Sequence, residues 1–188
     1  MTHTQTSRLV RYRETLLDYY EEEIMGEAYF HALAEHFDGE GERGKLRLLG
    51  QVERRAAEVV QPLLHKHGLI PRDEPVLKAL GEADVAAHQD YGWHELMAYM
   101  VARYPRYLDD FAALERLAPE ADLPALKLLT RHEVAAIEFA GRELAGDVDS
   151  TAPLHRYLEQ CRVWLDSRNI DRRGDGELHD HTVKEGCT

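Results

Sequence analysis

Glu53 and Glu133 stand 80 positions apart, each inside the same string, Leu-Leu-x-x-x-Glu-x-x-Ala, at Leu48 to Ala56 and Leu128 to Ala136. The same ungapped offset pairs Leu16 with Leu96, Tyr19 with Tyr99, Glu35 with Glu115, Leu46 with Leu126 and Leu64 with Leu144. One register held through helix, turn and helix predicts two similar helical hairpins. Each hairpin carries an apolar stripe that it cannot bury alone, so the two must pack face to face. The alternative is two unrelated amphipathic hairpins with coincident identities, and the unbroken register argues against it.

Spacings of three and four residues place the helices at about 7–37, 42–67, 87–117 and 123–145. Leu16, Tyr20, Ile24, Glu27 and His31 share one face of the first, and Ser7 is placed to cap it. Leu46, Leu49, Glu53, Ala56, Val60 and Leu64 form the stripe of the second, with Gly68 as its stop. A long connection over 69–86 holds Pro71 and Pro75, with a helical turn at 76–80. Pro105 lacks an amide hydrogen and is expected to kink or split the third helix. Gly26 aligns with Arg106, one residue past Pro105, so a matched irregularity is expected in the first helix. A short fifth helix from Pro153 to Ser167 completes one domain over 1–168, and a polar, disordered tail is expected over 169–188.

Composition narrows the function. A net charge of −12 is unsuited to nucleic acid or to an anionic membrane surface, both of which require basic residues. No apolar run approaches a membrane span, and Met1 to Ser7 is polar, so a soluble cytoplasmic protein is expected. The two cysteines, Cys161 and Cys187, make neither a disulfide framework nor a thiolate site.

Two helical hairpins joined by a long crossover resemble the ferritin-like superfamily. The resemblance implies an all-α four-helix bundle with a carboxylate-rich dimetal centre, in which each second helix carries Glu-x-x-His and each first helix a glutamate. Carried onto this chain, it assigns Glu27, Glu53 and Glu133 as ligands. The two histidine positions are Ala56 and Ala136, and the repeat partner of Glu27 is Tyr107. His31, one turn after Glu27, and Asp110, three residues after Tyr107, are the candidate replacements, with Tyr107 as a phenolate ligand or a hydrogen-bond donor to Glu27.

Inward carboxylates must be paired, protonated or bound to a cation. One expectation is therefore a degenerate centre without metal, in a structural or small-ligand-binding protein. The other is an iron or manganese oxidoreductase acting on oxygen or peroxide, and the helix faces would suit a homodimer. Adjacent pairs such as His132-Glu133 diverge by about 100° on a helix and are not expected to share a site. His65-Lys66-His67 reads as a helix end, His179-Asp180-His181 as a solvated segment, and the tyrosines as core residues with polar tips.

Overall fold

A computed structural model describes residues 3–174, and all regular structure among them is helical. The helices are α1 (His3–Ala34), α2 (Glu40–His67), α3 (Glu74–Asp84), α4 (Trp93–Arg103), α5 (Pro105–Leu117), α6 (Leu123–Leu144) and α7 (Ala152–Gly174). Helix α1 packs on α2 and α5, α2 packs on α6, and α6 packs on α4 and α5, which closes a ring of helices around one core. Tyr12, Leu16, Leu33, Leu46, Leu49, Leu129 and Phe139 are fully buried in it. Helix α3 lies outside the ring on α1, and α7 lies across α2 and α6.

Local chemistry sets the element ends. Helix α1 begins before Ser7, which is therefore interior and not a cap. Gly68 takes φ +63°, and its amide and that of Leu69 return to His65 and Leu64, closing α2 with a left-handed residue. The turn expected at 76–80 is the middle of an eleven-residue helix, α3, with Pro75 in its first turn. Gly81 explains how close α3 comes to α1: a Cβ there would lie 2.0 Å from the Met25 carbonyl oxygen.

Pro105 splits the expected third helix. The chain leaves α4 at Tyr104 and starts α5 at Pro105, and the Tyr107 amide bonds the Tyr104 carbonyl at 2.9 Å, three residues back. No matching break occurs at Gly26, where α1 runs through as regular helix. Helix α7 extends past the expected end at Ser167 to Gly174, so the segment 169–174 is helical, while the rest of the expected tail, with His179 to His181 and Cys187, lies outside the described residues.

One polar clasp ties distant parts of the ring. The Asp122 carboxylate, fully buried in the turn before α6, accepts hydrogen bonds from the Tyr12 hydroxyl at 2.9 Å and from Lys66 Nζ, and pairs with His67 Nε2 at 2.6 Å. The end of α2 is thus an anchor and more than a favourable charge at a helix terminus. Among the described residues, no helix is long and apolar enough to cross a membrane.

Candidate metal centre

Glu23 on α1, Glu53 on α2, and His132 and Glu133 on α6 meet inside the ring. All four are buried. Their stripes explain this. Glu23 precedes the core residue Ile24, Glu53 follows Val52, and the α6 pair lies between Leu129 and Ala136. Glu53 also needs room beside α1, and Gly26 supplies it: a Cβ there would lie 3.0 Å from Glu53 Oε2.

His132 organises the cluster. Its Nδ1 bonds the Leu129 carbonyl oxygen one turn back, so Nδ1 carries the proton. Nε2 is then aimed at three carboxylates: 3.3 Å from Glu23 Oε2, 3.5 Å from Glu133 Oε2 and 3.7 Å from Glu53 Oε2. The backward turn of the imidazole is what lets adjacent residues share a site, contrary to the expectation from helix geometry alone. One ligand atom each from Glu23, Glu53 and His132 lies within 4.8 Å of the others.

The electrostatics are unfavourable without a cation or protons. Two unit charges about 4 Å apart repel by roughly 4 kcal/mol at an effective dielectric of 20. Burial, reinforced by Glu53, raises Glu133 to about 9. Burial and then the neighbouring Glu53 and Glu133 push Glu23 well above the usual carboxylate range. Glu23 Oε2 and Glu133 Oε1 are buried with no hydrogen-bond partner among the described residues.

The cluster forms one wall of a cavity of about 480 Å³. Tyr29, Tyr99, Tyr104 and Tyr107 form much of the rest, and Glu22 and Asp84 reach it from exposed positions. Tyr104 sits at the α4–α5 break and Tyr107 one turn beyond, with ring centroids 5.8 Å apart. Tyr29 Oη lies 3.0 Å from His88 Nδ1. Behind His132, Tyr157 of α7 has a buried hydroxyl without an oxygen or nitrogen partner among the described residues, beside the Cys161 thiol.

Of the residues singled out from sequence, Glu53 and Glu133 lie in the cluster and Tyr107 lines the cavity. Glu27 does not join them: its carboxylate accepts from Arg54 at 2.6 Å and lies 3.7 Å from Lys78 Nζ. His31 is exposed and covers Gly50, where a Cβ would meet its ring at 2.5 Å. Asp110 is exposed. Glu23 was missed although it lies one turn before Glu27 on the same face. The acidic run Glu21-Glu22-Glu23 hides it, because composition alone does not say which of three neighbours turns inward. Comparison with protein-family profiles, curated proteins and solved structures gives no match.

Proposed function

We propose that this protein is a metal-dependent oxidoreductase that holds iron or manganese at Glu23, Glu53 and His132, with Glu133 beside them, and acts on a small molecule in the adjoining cavity. The observation that carries this reading is the setting of His132 Nε2. Its separations from three carboxylate oxygens, 3.3 to 3.7 Å, all exceed the usual hydrogen-bond range of about 2.7–3.2 Å. Ligand atoms held about 2.1 Å from one ion stand roughly 3.0–3.4 Å apart, so these spacings suit a shared cation better than a shared proton. Fixing Nδ1 on a backbone carbonyl is also how metal-binding histidines are oriented. Carboxylate oxygens with one imidazole nitrogen suit iron or manganese.

A bound iron or manganese ion would supply one-electron chemistry with oxygen or peroxide. The chain does the rest. Glu23 and Glu53 would neutralise the ion, the Leu129 carbonyl keeps the imidazole in place, and Glu23 and Glu133 would give up their protons on metal binding. The tyrosines line the side of the cavity facing the cluster. The ring of four packed segments and the paired sequence strings support a ferritin-like arrangement. Its donor set would be shifted one turn along α1, with His132 before its glutamate instead of three residues after it.

Metal analysis of protein purified without chelator tests the reading. The expected result is stoichiometric iron or manganese, lost in His132→Ala and in Glu53→Gln, with metal-dependent oxygen or peroxide consumption in the wild type. The raised pKa values of Glu23 and Glu133 favour a second reading, a protonated structural cluster without metal. In that case chelator leaves the melting temperature unchanged and Glu53→Gln is neutral or stabilising near pH 7.

A further inference from the structure

We infer that the cavity beside the His132 cluster selects a small organic cation, an aromatic or aliphatic amine, as its ligand. The inference rests on the proposed metal centre only for the ligand's role as substrate. Its physical basis is the remainder of the cavity. Among the described residues no lysine or arginine lines it, whereas five carboxylates do. A divalent cation would balance two of the three carboxylates Glu23, Glu53 and Glu133, and would leave Glu22 and Asp84 uncompensated at the exposed rim. His88 does not offset them, because burial lowers its pKa and keeps it neutral near pH 7. An anionic ligand would meet like charge at the entrance, and a neutral one would leave both rim carboxylates without a partner.

The walls fit the same ligand. Tyr99 meets Tyr104 and Tyr104 meets Tyr107 edge to face, at interplanar angles of 81° and 76°. These rings do not stack on one another, and aromatic groups around an acidic opening are the usual recognition of ammonium groups. Tyr107 already carries a guanidinium, that of Arg106, 4.8 Å from its centroid. Deeper in the same cavity, Glu133, which lines it, has Oε1 buried and without a hydrogen-bond partner among the described residues.

The test is a binding comparison on manganese-loaded protein, with metal content measured on the same samples. The probes are phenethylamine, the isosteric phenethyl alcohol and 3-phenylpropionate. The amine is expected to bind saturably, the alcohol about tenfold more weakly and the carboxylate not at all. The double variant Glu22→Gln/Asp84→Asn should weaken the amine about tenfold, with metal content unchanged; both positions are exposed, so the fold is kept. Saturable binding of the carboxylate as tight as that of the amine overturns the inference. So does unchanged amine binding in the double variant, or saturable binding of none of the three probes. Amine selectivity in a protein that takes up no metal would refute the oxidoreductase reading and still support this one.

Discussion

A methyl group at position 26 would sit 3.0 Å from Glu53 Oε2, so Gly26 is a clearance and not a weak point in α1. Gly26→Ala should gain up to about 1 kcal/mol of helix propensity while displacing Glu53. The expected result is an unchanged or raised melting temperature with metal affinity about tenfold lower, read by chelator competition. The carboxylates beside it make a second prediction, for metal-free protein. Glu133 titrates at about 9 when folded, against an ordinary glutamate value when unfolded. Its burden on stability is absent below the unfolded value, grows as pH rises, and is complete above about 9. Metal-free protein should therefore melt higher at pH 6 than at pH 9, and Glu133→Gln should flatten that slope. At this scale the sequence exposed Glu53 and Glu133, because a repeated string marks position and partner together. It hid Glu23 and His132, whose inward aim depends on helix tilt and on one side-chain bond to the Leu129 carbonyl.

Helices α1, α2 and α6 follow from apolar spacing, as periodicity over long segments reports burial directly. Helix α3 was legible only as a turn at 76–80, because its inner face is Leu77 and Gly81, and a glycine adds nothing to an apolar stripe. Gly81→Ala would drive a Cβ into the Met25 backbone, and neither helix can yield locally. We expect a loss of at least about 1–3 kcal/mol by denaturant titration. Gly50→Ala is the informative contrast. The two nearest atoms there belong to the exposed His31 ring, which can swing away, and the Glu27 carbonyl oxygen at 3.2 Å calls for only a slight shift, so its effect should stay within about 1 kcal/mol. The break between α4 and α5 was visible as Pro105, but its use was not: it sets Tyr104 and Tyr107 on the cavity wall. Pro105→Ala should leave stability unchanged or slightly raised and shift the tyrosine fluorescence and ligand affinity of the cavity.

At the scale of the whole molecule, the ring is joined by charge as well as by its core. Burial alone would raise the Asp122 carboxyl, but hydrogen bonds from Lys66, His67 and Tyr12 outweigh it and hold the group below the usual aspartate value. This stabilisation is present above the unfolded aspartate pKa and is lost as pH falls through the folded one. Asp122→Ala should cost about 3 kcal/mol near pH 7, and the variant should lose less stability than wild type on acidification below pH 4. The clasp also has a consequence for how the chain can be divided. Its members come from α1, from the end of α2 and from the turn before α6, so the buried aspartate has no partners until both halves are present. Asp90 lies exposed between α3 and α4, away from those bonds. Two polypeptides spanning 1–90 and 91–188 should therefore find each other when produced in one cell and purify as a stoichiometric pair. Neither should persist alone, and Asp122→Ala in the second should abolish the reassembly.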